Sequence, residues 1–227
     1  MTILAVDAAT EACSAALLAG SKLSERYEVI GRGHAGRLLP MADELLREAG
    51  LSARDLDAVA FGRGPGGFTG LRIAAGIAQG LAAGGGKPIV PVSNLAAVAA
   101  AAARTHRRSR ILVCMDARMG QVYWAAFDCS LDRPRALTRE LLSHPGAVEL
   151  PMNGPMFGAG HGFAAHPSLA TRLAGSLDGS LDGIDDTTLP RAGDIARIGA
   201  TELAAGGGLA PSRGLPVYLR DDVVHRR

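Results

Sequence analysis

The sequence predicts an α/β protein of two unequal lobes, and three observations carry that expectation. Three strand-like runs open the chain, joined by turns too short for a parallel crossover, so they must be antiparallel neighbours. Helical and strand-like periods then alternate as far as Arg104. From Ile111 the opening hairpin pattern returns once and then degrades.

Ile3–Asp7 reads as a strand, Ala8–Ala12 as a turn, Cys13–Leu18 as a second strand and Lys22–Val29 as a third. From Ala35 the period is helical: Leu38, Leu39, Ala42, Leu45, Leu46 and Ala49 share one stripe, and Gly50 closes it. Leu56–Phe61 is an apolar run of strand length. Gly62–Gly70 follows as a glycine loop, and Thr69 is placed to cap a helix of small residues running to Ala83. Ile89–Val92 is another strand, after which Ser93 or Asn94 caps a helix over Leu95–Arg104. This order is that of the ribonuclease-H-like lobe, which actin, Hsp70 and sugar kinases use twice.

In the second half, Ile111–Asp116 and Val122–Phe127 are strands around the turn Ala117–Gln121. Ala136–Ser143 is a weaker strand candidate, and Met156-Phe157 is a short apolar piece between glycines and prolines. Gly175–Asp186 reads as an exposed loop; its acidic residues lack the spacing of a calcium loop. Pro190 starts a last helix to about Ala205, stopped by Gly206-Gly207-Gly208, and Pro216–Asp221 is extended. The expected division is 1–104 for the first lobe and 105–227 for a smaller, degenerate one, its tail free to pack back on the first.

Composition narrows the function classes. With 24 basic against 22 acidic residues, nothing demands nucleic acid over the whole surface. Aromatics are only 4%, so the core must be built from Ala, Val, Leu and Ile. Cys13, Cys114 and Cys129 form no C-x-x-C pair, which argues for reduced thiols in a cytoplasm. The opening Met1–Asp7 has no basic region ahead of an apolar one, and no membrane span is expected.

The glycine loop raises the first chemical question. Strand, glycine loop and helix together build many phosphate sites, yet neither G-x-x-x-x-G-K-[ST] nor G-x-G-x-x-G is matched. The competing reading is a tight turn feeding a closely packed helix. Asp7 ends the first strand where actin-like proteins keep a metal- or water-binding carboxylate. Its turn, Ala8-Ala9-Thr10-Glu11, has no glycine and adds an acid unfavourable beside polyphosphate. His34 suits a helix start. His161 and His166 are five apart and lack a third zinc ligand. Asp116-Ala117-Arg118 suits an Asp–Arg pair shaping a turn. Arg104, Arg107, Arg108 and Arg110, with His106 between them, are the one basic run, either a solvated linker or an RNA contact.

Two helices read as surfaces. The first offers Leu38, Leu39, Met41, Ala42 and Leu45, with Met41 outside the main stripe. The second offers Thr69, Arg72, Ile73, Gly76, Gly80 and Ala83 on one side, and Gly76-x-x-x-Gly80 makes a flat groove for another helix.

These stretches together resemble one family. Ile3–Glu11, His34 with Leu38-Leu39-Pro40-Met41, Phe61–Leu81, Ile111–Trp124 and Pro216–Asp221 are similar to the bacterial TsaB (YeaZ) family. The likeness runs the full length, but Leu131–Thr188 shares only general character. It implies a two-lobed actin-like fold without catalysis or cofactor of its own. The implied partners are a catalytic TsaD-type paralogue, a TsaE-type ATPase and, through the complex, tRNA, with a homodimer when the chain is alone and nucleotide only at the joint surface. The implied reaction of the complex is threonylcarbamoyl transfer to the adenosine after the anticodon in tRNAs reading codons that begin with A. The catalytic paralogue carries a His-x-x-x-His metal pair where this chain has Asn94 and Val98, neither able to replace imidazole there. The rival class is a stand-alone actin-like ATPase or glycoprotease-like metallopeptidase; a nucleic-acid module built on Arg104–Arg110 is a third.

Overall fold

A computed structural model describes residues 1–131, 133–151, 154–174 and 180–220. Residues 175–179 of the expected loop and Asp221 of the expected terminal segment lie outside the described residues. The first sheet contains β1 (Thr2–Asp7), β2 (Ala12–Ala19), β3 (Lys22–Val29), β4 (Ala58–Gly64) and β5 (Ile89–Ser93), in the order β3-β2-β1-β4-β5. Pairing is antiparallel among β1, β2 and β3 and parallel from β1 through β4 to β5, as the element order demands.

Because side chains alternate along a strand, β1, β2, β4 and β5 each feed two cores. Leu4, Val6, Leu17, Val59 and Phe61 face α1 (His34–Glu48) and α2 (Phe68–Gly85). Ile3, Ala5, Leu18, Ala60 and Val92 lie on the other side, where α3 (Asn94–His106) packs against β4 and β5. Ser93 caps α3 by accepting from the Ala96 N–H at 3.1 Å, as expected. Its buried residues run all round, which suits a helix enclosed on every side, and its alanines let sheets approach from both faces.

The second sheet contains β6 (Arg110–Asp116), β7 (Val122–Asp128), β8 (Arg135–Ala136), β9 (Leu141–Ser143), β10 (Met156–Ala159) and β11 (Leu181–Asp185). Its order is β11-β10-β6-β7-β8, with β9 also on β7. Short helices α4 (Gly162–Ala165) and α5 (Pro167–Ala174) cover its outer face, where Leu112, Trp124, Phe163, Leu169 and Leu173 pack. Its inner face, with Ile111, Val113, Tyr123 and Phe157, meets α3, which packs in turn against α6 (Ala192–Ala204). The layers are therefore helices, sheet, helices, sheet, helices, and the central layer of α3 and α6 belongs to both lobes.

Helix α6 lies late in the chain yet packs on β1, β2, β4 and β5. Gly199 makes that possible, since a Cβ there would stand 2.8 Å from the Ala60 Cβ. Its first turn is tied to the far edge of the first sheet: Ala192 N–H donates to Ser14 Oγ at 2.9 Å and Gly193 N–H to Glu25 at 2.8 Å. The closing stretch also returns to the first lobe, and then crosses to the second. Gln79 donates to the Gly214 carbonyl, Val217 N–H to the Arg63 carbonyl, and Arg220 to the Ala117 carbonyl at 2.9 Å.

Several expectations are corrected. Leu181–Asp185 is an edge strand paired with β10, not an exposed loop; two aspartates and a glycine give it little β propensity. Ala136–Ser143 is two short strands rather than one. Thr69 does not cap α2, because the helix starts one residue earlier, behind Gly67. The last helix begins at Ala192, two residues beyond Pro190. Met41 is fully buried, and Leu39, counted in the apolar stripe, is 47% exposed. No helix among the described residues is long and apolar enough to cross a membrane.

Candidate functional site: the inter-lobe cleft and the outer helix face

A cleft of about 660 Å³ opens between the lobes. Its walls are the turn after β1, the start of α1, the glycine loop, the turn after β6 and the tail Val217–Arg220. This is where a nucleotide would enter a ribonuclease-H-like pair of lobes, so the donors on its walls decide what it can hold.

On the first-lobe wall the end of β1 is closed by its own chain. Asp7 is buried, with Asn94 Nδ2 donating to its Oδ1 at 2.6 Å and Ala9 N–H to its Oδ2 at 3.3 Å. Asn94 Oδ1 in turn accepts the Gly64 N–H at 2.7 Å. Burial pushes the Asp7 carboxyl up to about 7, against the opposing pull of the Asn94 and Ala9 donors. A Cβ on Gly62 would run into this Asp7–Asn94 pair.

The glycine loop is explained by the same neighbourhood. Gly67 N–H donates to the Ala9 carbonyl at 2.7 Å. A Cβ on Gly66 would stand 2.6 Å from that carbonyl oxygen, and one on Gly70 would overlap the carbonyl of Ala8. The loop is glycine-rich because it lies on the backbone of the Ala8–Ala9 turn. With the Ala9 and Gly67 N–H groups bonded and Glu11 on the wall, this turn is a poor fit for a polyphosphate.

The second-lobe wall is only partly closed on itself, since the buried His161 Nδ1 and His166 Nε2 have no hydrogen-bond partner among the described residues. Asp116 accepts the Arg118 N–H at 2.9 Å and pairs with its guanidinium at 3.1 Å, the turn-shaping arrangement expected from sequence. His166 Nε2 is 3.6 Å from Asp116 Oδ1, too long for a hydrogen bond. His161 lines the cleft; burial lowers its pKa although Glu11 and Asp116 oppose that shift. His34 donates to the Thr10 carbonyl at 3.0 Å, pinning the start of α1 to the β1–β2 turn. Among the described residues no group of three or more His, Cys, Asp or Glu could hold a metal ion. Val98 is buried, and the Asn94 amide is committed to Asp7 and Gly64. All three thiols are free, and burial pushes Cys13 up to about 11 and Cys129 up to about 12, so neither is an activated nucleophile.

The basic run is largely paired. Arg104 bonds to the buried Asp194 of α6, Arg108 pairs with Asp182 at 3.1 Å, and His106 lies 2.8 Å from Asp185 while stacking on Phe157. Burial alone would raise Asp185, but the His106, Thr188 and Thr187 donors hold it far below the usual carboxylate range.

The outer helices divide the residues chosen as a surface. Leu38, Met41, Ala42 and Leu45 are buried against the chain's own first sheet, which leaves them no surface to offer. Leu39 is outside, beside exposed Ala35, Gly36 and Pro40. On α2, Thr69, Arg72, Gly76, Gly80 and Ala83 all point outward and Ile73 is half-buried, so this stripe is intact. Gly84 extends it by one more turn. A Cβ on Gly76, Gly80 or Gly84 would meet nothing within 4 Å.

Sequence reasoning missed the aromatic end of this stripe. Arg72 lies 3.7 Å over the exposed Phe68 ring and donates to the Tyr218 hydroxyl at 3.0 Å, with the two rings 5.3 Å apart. Only the expectation that the tail returns to the first lobe hinted at it, because Tyr218 is far away in sequence.

Comparison with known proteins follows the same lines. The family model for TsaD, tRNA N6-adenosine threonylcarbamoyltransferase, matches residues 26–178. The whole chain is 37% identical to the tRNA threonylcarbamoyladenosine biosynthesis protein TsaB of Escherichia coli (strain K12), covering 98% of that protein. It is 36% identical over its full length to the protein of the same name from Haemophilus influenzae, covering 97% of it. The solved structure of YeaZ from Pseudomonas aeruginosa superposes with a TM-score of 0.88 at 40% identity, covering 96% of this chain and 99% of that one. Another solved Pseudomonas aeruginosa protein, described as similar to peptidase YEAZ, matches equally well.

Proposed function

The chain belongs to the TsaB (YeaZ) family, and from that premise we propose that it serves tRNA threonylcarbamoyladenosine formation as a non-catalytic subunit. It pairs with a catalytic TsaD-type paralogue, joined by a TsaE-type ATPase, in the cytoplasm. The complex transfers the threonylcarbamoyl group to the adenosine just after the anticodon of tRNAs that read codons beginning with A.

The observation that carries this reading is the exposed glycine stripe of α2. Each glycine inside a helix costs about 1 kcal/mol relative to alanine. Gly76, Gly80 and Gly84 accept that cost where the chain itself has room for a side chain. The compensation lies outside the chain, in a second helix that packs across the bare backbone at short interaxial distance. Leu39, Phe68 and Tyr218 are exposed around the stripe and supply apolar anchors, with Arg72 between the rings.

The absence of catalysis is supported by the state of the cleft walls. Asp7 is buried and engaged by Asn94 and the Ala9 N–H, and Asn94 and Val98 stand where the resemblance puts the metal-binding histidines of the catalytic paralogue. Any nucleotide is held at the joint surface with the partner, since the start of this chain's α2 lines the cleft. Without that partner the same glycine face closes a homodimer.

Replacing Gly76 and Gly80 by leucine tests the assignment. The double variant is expected to melt no lower than the parent, since each new side chain points into open space and leucine favours helix. It is expected to lose co-purification with the TsaD-type paralogue and to abolish tRNA modification in the reconstituted system. Undiminished pairing would remove α2 as the interface, and ATP turnover by the chain alone would remove the non-catalytic assignment.

A further inference from the structure

We propose that the hollow at the C-terminal end of α3 is a phosphate-binding pocket that engages the backbone of an RNA. The choice of RNA over free phosphate rests on the proposed role in tRNA modification. The hollow, about 480 Å³, is lined by Arg104, Arg107 and Arg108, by Arg197 from α6, and by Ser109 and Ser130. Asp194 is the one carboxylate on its wall among the described residues.

The charges do not cancel. Asp194 neutralises Arg104 and Asp182 neutralises Arg108, which leaves Arg107 and Arg197 without an ion-pair partner among the described residues. Favourable contact with a helix C-terminus accounts for basic residues in the last turn of α3, such as Arg104 and His106. It does not account for Arg197, which sits outside the first and last turns of a different helix and lines the same hollow. Two unpaired guanidiniums line one concavity, and phosphate oxygens accept their planar N–H groups in pairs.

The surroundings suit a polymer better than a single ion. Leu131, exposed to 79%, stands on the rim, where an apolar side chain can rest against a ribose or a base. Position also separates this pocket from the α2 surface. Helix α3 begins beneath the cleft at Asn94 and runs for 13 residues, roughly 20 Å, to the hollow, on the opposite side of the first sheet from α2. A partner docked on the glycine stripe therefore leaves the pocket open.

The test is equilibrium binding of labelled tRNA across a salt series, with the full chain alone and paired with the TsaD-type paralogue. The variant is Arg107→Gln with Arg197→Gln, two side chains whose loss breaks no ion pair. Arg47→Gln on α1 is the control. In both forms the double variant is expected to bind about tenfold more weakly at moderate salt, with the slope of log affinity against log salt reduced by about two, roughly one per phosphate contact. Its melting temperature and the control's affinity are expected to match the parent. Parental affinity and slope in the double variant would overturn the proposal. Binding of inorganic phosphate that depends on these arginines, without tRNA binding, would overturn the RNA assignment. If reconstituted modification proves independent of the chain while arginine-dependent tRNA binding persists, the pocket stands and the proposed function falls.

Discussion

Strand for strand, the second sheet repeats the first. β6, β7, β10 and β11 take the places of β1, β2, β4 and β5, and β8 and β9 share the place of β3. The closing helices α3 and α6 are each 13 residues long. What differs is the outer cover. Helix α1, 15 residues long, has only the 3₁₀ turn Pro145–Ala147 as its counterpart, and the 18-residue α2 is answered by α4 and α5, of 4 and 8 residues. The difference separates two requirements. The central layer closes the core for both lobes and is kept in full on each side. The outer layer is long only where it also presents a bare helix face.

The lobes also share a device at the end of their first strands. In each, glycines after the fourth strand lie on backbone carbonyls of the first: Gly66 and Gly70 on Ala9 and Ala8, Gly160 and Gly162 on Cys114. In each, an aspartate ends the first strand, but Asp7 is buried while Asp116 lies on the cleft wall beside Arg118.

The largest expected effect tests that contrast in burial. The Asp7 carboxyl is raised from 3.8 to about 7 in the folded protein. Between those values the folded state holds a proton that the unfolded chain has released, so stability must fall as pH rises through this window and level off above it. The full fall is on the order of 4 kcal/mol. Urea denaturation from pH 5 to pH 8 is expected to show about 3 kcal/mol of that decline in the parent and a much flatter profile in Asp7→Asn. Identical slopes would mean that Asp7 is hydrated.

Next in size is a steric comparison between the two glycine contacts. Gly70→Ala drives a methyl into the Ala8 carbonyl, whereas the same change at Gly162 leaves 2.7 Å to the Cys114 carbonyl. Overpacking a rigid backbone contact costs about 3 kcal/mol at the first site and about 1–2 kcal/mol at the second. Denaturant midpoints in that order sharpen the comparison, and equal losses break it.

The smallest effect concerns the join between lobes. Arg63 on β4 donates twice to Glu140, at 3.1 and 3.0 Å, with both side chains less than a quarter exposed. Glu140→Gln is expected to cost about 1–2 kcal/mol, between the values for exposed and buried pairs. A double-mutant cycle with Arg63→Gln measures the coupling directly; zero coupling would show the lobes to be joined by the shared core alone.

The first lobe was legible because its signals are local. Periods of two and 3.6 residues, Gly50 after α1 and Ser93 before α3 each act within one element. The second lobe concealed its repeat because β11 is built from Leu-Asp-Gly-Ile-Asp, whose pairing depends on Gly183 lying over the Phe157 ring rather than on β-forming residues. The candidate site shows the same division. The α2 stripe follows from helical spacing, whereas α1 misled: Leu38, Met41, Ala42 and Leu45 look equally apolar whether they face a partner or their own sheet. The pairing of Arg104 with Asp194, of Arg108 with Asp182 and of Arg72 with Tyr218 is set by topology, which no spacing in the chain encodes.

Helix α6 closes the inner face of the first sheet although it is nearly the last element of the chain to be made. While the ribosome is still adding residues to the second lobe, α3 covers Ala60 and Val92 at β4 and β5, but Ile3 and Ala5 on β1 still lack α6. The nascent chain thus carries a half-clad sheet until Ala204 has emerged, and folding cannot finish lobe by lobe as synthesis proceeds. A chain halted anywhere before Ala192 presents that sheet face to any apolar surface within reach, so synthesis itself, about 10–45 seconds for this chain, is a window of aggregation hazard.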